Sequence, residues 1–313
     1  MDCYKAVQFF FYTQWNALKA YANSHGIQLV GDIPIYVSPD SSDLWTHPEL
    51  FQTDGAVHLT SVAGCPPDAF AADGQLWGNP LYDWPRHEAE DFRWWKQRIK
   101  HATSIYDVVR IDHFRGFEAY WAVPYGETTA KNGHWVKGPG MNLVGVLTSS
   151  FPQLRFIAED LGLLTPAVYQ LLADTGFPGM KVLEFGFDSD NTNGYLPHNF
   201  KTTNSICYTG THDNETILGW IKSCDEKTRS YCKDYLGVTK DEFVPWAMVR
   251  LCWSSVCDTA IAQMQDILCL DDKARMNTPS TVGANWKWRL ESFDKLDDTL
   301  AERLAKITAV YGR

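Results

Sequence analysis

VVRIDHFRGF, Val108 to Phe117, is the stretch on which the fold turns. Val108, Val109 and Ile111 form a short β-branched run, Arg110 and Asp112 interrupt it two residues apart, and Gly116 closes the element. Residues i and i+2 of a strand share a face, so Val109 and Ile111 are set to pack against covering helices while Arg110 and Asp112 point together the other way. A guanidinium then stands beside a carboxylate at a strand's end. In a parallel α/β barrel that end is the C-terminal rim, where catalytic groups gather, and the neighbouring cation is expected to keep Asp112 ionised. An isolated Arg-x-Asp is more often a structural ion pair, so the surroundings must decide.

Outward from this stretch the chain alternates helix and strand patterns. Phe11, Trp15, Leu18 and Ala22 mark one face of a first helix, with Gly26 just past its end. Ile27 to Val37 reads as a strand. Phe92, Trp95, Ile99, Ala102 and Tyr106 repeat the helical spacing directly before Val108. Leu143, Val146 and Leu147 predict another helix, Leu154 to Ala158 a strand, and Thr165-Pro166 an N-cap and first turn whose helix Gly176 closes. Met180 to Phe187, Ser205 to Thr209 and Ala260 to Leu268 are further strands. Helices are expected over Ile217 to Ser223, Lys227 to Leu236, Trp246 to Ser255 and Leu296 to Val310.

The alternation predicts an α/β fold of (β/α)8 TIM-barrel type, with about six βα units where a closed barrel needs eight. Two excursions, residues 54–84 and 118–140, are rich in Gly, Pro and Trp and too long for ordinary connections. As rim loops they would wall a substrate cleft. A third, residues 214–258, carries the helical patterns after Thr211.

A chain of 313 residues, 45% hydrophobic, can bury a substantial core. Its net charge of −10 argues against nucleic-acid and anionic-membrane surfaces, and neutral or cationic partners fit better. No apolar run approaches a membrane span and no leader pattern opens the chain. The eight Cys show no CxxC and no zinc-like spacing, which reads as reduced thiols in a cytoplasmic setting. The 13 Trp suit sugar stacking, although core packing must account for most of them.

Three predicted strand ends carry acids: Asp112, Glu159 and Asp213. One ionised and one protonated carboxyl across a glycosidic bond is the requirement of retaining glycoside chemistry. Asp112 beside Arg110 suits the nucleophile. Glu159 follows the apolar Ile157 and Ala158, and burial would raise its pKa as a general acid/base requires. Asp213 would stabilise an oxocarbenium ion from a third side, and His113 and His212 stand ready to donate to sugar hydroxyls.

RIDHFRGFEAYW, IAEDLG, GMKVLEF and TGTHDNET, with GDIPIYV, PPDAF and GQLWGNPLYDW upstream and ARMNTPS and ANWKWR downstream, resemble the 4-α-glucanotransferases of the amylomaltase and disproportionating-enzyme family. The resemblance runs from about Phe10 to the C-terminus. It implies an α-amylase-like barrel, α-1,4-glucan and maltooligosaccharide substrates, no cofactor and no metal. It implies Asp112 as nucleophile, Glu159 as acid/base and Asp213 as transition-state stabiliser. Arg110, His113 and His212 fall on positions contacting the sugar at the cleavage point; Asp68, Trp77 and Asn277 match other substrate-contacting positions. The segment Asp68 to Trp77 resembles the family's mobile cover, with Ala69 where many relatives have Tyr. The family's first two βα units precede the segment aligned with Phe10, so residues 1–313 read as the C-terminal part of the catalytic barrel. Three alternatives stand beside glucan transfer: a hydrolase of the same superfamily, a catalytically impaired glucan-binding fragment, and a metal-dependent hydrolase using Asp112, His113, His212 and Asp213. The last has neither a His-x-His nor a His-Glu-x-x-His pattern behind it.

Overall fold

The structure is a computed structural model; it describes residues 2–55, 58–67, 71–162 and 164–313 and divides into two units, Met1–Gly179 and Met180–Arg313. Among the described residues seven strands run through the first unit: β1 (Val30–Pro34), β2 (Ser61–Cys65), β3 (Gln75–Pro80), β4 (Val108–Asp112), β5 (Ala119–Pro124), β6 (His134–Lys137) and β7 (Arg155–Ala158).

The expected strand at Val108 is β4, at the centre of a parallel sheet ordered β1-β4-β7. Its register sets Asp32 opposite Arg110 and Pro34 opposite Asp112 on one side, and Arg110 opposite Ile157 on the other. The helix Arg93–Ile105 covers the sheet with Trp95, Ile99 and Ala102, all buried as their spacing predicted. Gly31 of β1 packs against Tyr106, the residue that follows this helix: a Cβ there would lie 2.0 Å from the Tyr106 ring, so only glycine fits. The helix Pro166–Thr175 is capped as read, Thr165 Oγ1 accepting from Val168 N and Gly176 taking a left-handed backbone.

The first helix exists, as Asp2–Ser24, but its expected face does not. Phe11 and Leu18 are exposed along with Tyr4, Val7, Phe9, Phe10 and Tyr21, and of the predicted face only Ala22 is fully buried. Contacts run along an adjacent line: Tyr12 Oη with His101 Nε2 (2.9 Å), Trp15 Nε1 to Ile105 O (2.9 Å), Lys19 Nζ to Tyr106 O (3.0 Å) and Asn23 Nδ2 to Asp107 (2.9 Å). Apolar residues surround this helix on most sides, so periodicity singles out no face, and polar anchors choose the orientation.

The excursions 54–84 and 118–140 are not irregular loops. They contribute β2, β3, β5 and β6 to one antiparallel sheet ordered β3-β2-β5-β6, with Val62 opposite Val123 and Trp121 opposite Trp135. Alternation across strands drawn from separate excursions was not visible to a local reading.

In the second unit β8 (Gly179–Val182), β9 (Ser205–Tyr208) and β10 (Thr259–Ile261) form a sheet ordered β10-β9-β8, with β9 and β10 parallel. Ile217–Ser223, Glu226–Leu236, Val244–Ser254 and Asp298–Tyr311 are helices, close to the expected bounds. Three strands are markedly shorter than read, among them Ile27 to Val37, which is strand only over Val30–Pro34. Met180 to Phe187 is strand only to Val182 and then a 3-10 turn, Leu183–Gly186; the run Ala260 to Leu268 is β10 followed by the helix Met264–Ile267. The helical turn carries Asp266 inward, where it accepts from Thr209 Oγ1 (2.6 Å) and Ile217 N (2.8 Å). Short apolar runs do not distinguish strand from helix.

The strands expected to build the barrel therefore lie in two three-stranded sheets, and among the described residues no closed barrel forms. Among the described residues no disulfide forms, and no described helix is long and apolar enough to cross a membrane.

Candidate active site

The C-terminal ends of β1, β4 and β7 gather the first group. Arg110, buried, donates from Nη1 to Asp112 Oδ1 at 3.0 Å and to the Asp32 carboxylate. Burial opposes its charge, yet Asp32, Asp112 and Glu159 together hold the guanidinium more firmly protonated than usual.

After Asp112 the chain bends sharply. His113 adopts a left-handed backbone, φ 53°, which turns its N–H onto Glu159 Oε2 at 2.7 Å. Leu161 N donates to Glu159 Oε1 at 2.8 Å. The backbone is tied as well: Glu159 N donates to Ile111 O (3.0 Å) and Phe114 N to Glu159 O (3.1 Å). Asp112 and Glu159 thus sit at the same level on neighbouring strands.

Glu159 is buried, and burial raises its carboxyl to about 7, with the Asp112 charge pushing the same way. Arg110 and the two amides oppose the rise and lose. The sequence-based expectation of a raised acid is met, for the expected reason. Asp112 is more open, its side chain 42% exposed.

The His113 ring is pushed down to about 3 by burial and then by the Arg115 charge, so the imidazole is neutral near pH 7. Trp77, on β3, meets it edge-on with ring centres 4.8 Å apart, and Tyr36 lies 6.4 Å from each ring. Arg110, Asp112, His113, Glu159 and Trp77 are therefore brought together in one unit.

Sequence reasoning missed two members, Asp32 and Tyr36, both in GDIPIYV. The signal was present: Asp32 interrupts an apolar strand just as Arg110 and Asp112 do. Asp68 lies outside the described residues.

In the second unit Asp213 stands in the turn Thr211–Glu215. Its Oδ1 accepts from Asn277 Nδ2 at 2.5 Å, its carbonyl accepts from Arg275 Nη2 at 2.8 Å, and Oδ2 lies 3.3 Å from His212 Nε2. Asn277 N donates to His212 O at 3.1 Å, and Trp286 faces the His212 ring at 5.0 Å. Asp213, His212 and Asn277 thus meet as one group; Arg275 and Trp286, in the quoted ARMNTPS and ANWKWR segments, had been given no role.

A sequence model described as 4-alpha-glucanotransferase matches residues 1–295. The chain belongs to this 4-α-glucanotransferase family. A 4-alpha-glucanotransferase of Clostridium butyricum is 47% identical over 317 residues, covering 100% of this chain and 64% of that protein. One of Streptococcus pneumoniae is 49% identical over 311 residues, covering 99% and 61%. The chain therefore spans somewhat under two thirds of the length of these relatives. Among solved structures, the amylomaltase from Streptococcus agalactiae in complex with acarbose is 44% identical with a TM-score of 0.93, covering 98% of this chain and 62% of that one. The amylomaltase from Corynebacterium glutamicum, 18% identical with a TM-score of 0.74, shares the fold. The 4-α-glucanotransferase assignment and the amylomaltase likeness agree with an α/β fold of the glycoside-hydrolase barrel kind.

Proposed function

We propose that this chain carries the catalytic groups of a 4-α-glucanotransferase, which moves segments of α-1,4-glucan or maltooligosaccharide to a sugar acceptor by a retaining double displacement. The single observation that carries the reading is the unlike pair at the ends of β4 and β7: Asp112 ion-paired to Arg110, and Glu159 buried with a carboxyl near 7.

In the first step Asp112 attacks the anomeric carbon while Glu159 gives its proton to the departing glycosidic oxygen. Esterification removes the Asp112 charge, one of the causes that hold the Glu159 carboxyl up. Its pKa then falls, and Glu159 is ready to take the proton from an incoming 4-hydroxyl. Asp213, steadied by Asn277 and Arg275, is assigned to the developing oxocarbenium ion. The neutral His113 and Trp77 form an apolar wall suited to keeping water from the glycosyl-enzyme. Arg110, His113, His212, Trp77, Asn277 and Asp68 are read as substrate contacts. The parallel strands are read as part of a (β/α)8-type barrel, of which residues 1–313 hold about six βα units.

The test is glucose release and chain-length redistribution from maltotriose. Redistribution without a rise in reducing ends supports transfer, and a net rise supports hydrolysis instead. Saturable maltooligosaccharide binding with no turnover, unaltered by Glu159→Gln, would leave a glucan-binding chain and sink the catalytic reading.

A further inference from the structure

Glu184 is buried where the chain leaves β8, and its two carboxyl oxygens are treated unequally. Oε1 accepts from Asn214 Nδ2 at 3.1 Å. Oε2 is buried with no hydrogen-bond partner among the described residues, close against Gly210, where a Cβ would stand 3.4 Å from it. Asn214 Oδ1 in turn accepts from Thr211 N (2.9 Å) and Thr211 Oγ1 (2.8 Å), and Thr211 Oγ1 accepts from Asp213 N (3.3 Å). One line of hydrogen bonds thus connects a carboxyl that the reaction does not use to the backbone of Asp213.

We propose that Glu184 is a positioning residue for glucan transfer: it fixes Asn214, and through it the turn that presents Asp213. The proposal rests on the assignment of Asp213 made above. An ionised Glu184 would leave a charged oxygen buried with no donor, which is far costlier than a neutral acid in the same place. Burial raises the carboxyl to about 8 against the Asn214 hydrogen bond, and the charges facing it are Glu215 of the same turn, Asp266 of the helix Met264–Ile267, and Arg275. The two acids raise it further and Arg275 opposes them. Glu184 therefore holds the turn as a neutral acid near pH 7; an opened turn would let the carboxyl ionise at its ordinary value near 4.5, so the hold weakens as pH climbs from there through about 8.

Glu184→Gln and Glu184→Leu test this against the unsubstituted chain. The measurements are amide hydrogen exchange of residues 211–215 from pH 6 to 10, corrected for the intrinsic rate, and maltotriose turnover. Protection of the turn should fall at least tenfold between pH 6 and 8 in the unsubstituted chain, level off above that, and stay flat throughout in Glu184→Gln. Glu184→Leu should lose at least tenfold in protection of the turn at every pH and tenfold in kcat with KM unchanged, while Glu184→Gln restores both. A turn equally protected in Glu184→Leu, or a pH response that persists in Glu184→Gln, overturns the proposal. Should Glu184→Leu not fold, the pH response of Glu184→Gln decides alone. Absence of turnover in the unsubstituted chain counts against the assigned reaction, and the exchange measurement still decides Glu184.

Discussion

The amide of His113 donates to Glu159 Oε2 at 2.7 Å, so the residue after the proposed nucleophile holds the proposed acid. The two groups are coupled through backbone as well as charge, and a change at one strand end is felt at the other.

Glu159→Gln should lower kcat for maltotriose by about 10² to 10⁴ and remove the fall in activity that ionisation of a carboxyl near 7 imposes on the alkaline side. A retained alkaline limb with the same midpoint would assign that titration to another group. The same carboxyl bears on stability. Its folded pKa lies above the unfolded value near 4.5, so the unfolded state gives up its proton first and rising pH favours unfolding. Its contribution is full below about 4.5 and lost as pH climbs through about 7; urea midpoints of Glu159→Gln should decline less over that window than those of the unsubstituted chain.

His113→Val should destabilise the first unit by about 1–2 kcal/mol, because a β-branched residue is strained at φ 53°. His113→Asn, which tolerates that backbone, should come nearer the parent stability while still losing the imidazole. Denaturant unfolding of the two variants separates the backbone from the ring; equal stability would mean that the left-handed bend is not kept.

Asp32→Asn should loosen Arg110, which then has one carboxylate fewer across from β1. We expect about 1.5–3 kcal/mol lost from a hydrogen bond to a charged group, together with roughly tenfold in kcat. Transfer at the parent rate would make Asp32 a purely structural partner.

Gly31→Ala should cost about 3 kcal/mol, the upper end of overpacking penalties, since the new methyl falls inside the Tyr106 ring. Combining it with Tyr106→Ala should cost less than the sum of the two single changes, as contacting sites do. A thermal-melt cycle checks the sign.

What was legible in the sequence was local. β4, the helix before it, the Thr165 cap and the pairing of Arg110 with Asp112 followed from side-chain period and from one residue's effect on the next, whereas Glu159 joined them only through the strand-end pattern and the family resemblance. What escaped depends on distant partners. Asp32 earns its place only through the register that sets it opposite Arg110, and the antiparallel sheet exists only because β2 finds β5 across many residues of chain. The first helix offers apolar residues on too many sides for any rule of spacing to choose among them.

The sheet built from β2 and β3 on one segment and β5 and β6 on another has an outcome for protein engineers. A chimera that grafts only the earlier segment from a relative would set β5 against a β2 it did not evolve beside, so the two must travel as a matched cassette. Trp77, on β3, would travel with it, so the exchange also replaces the ring that meets His113 while Asp112 and Glu159 stay in place.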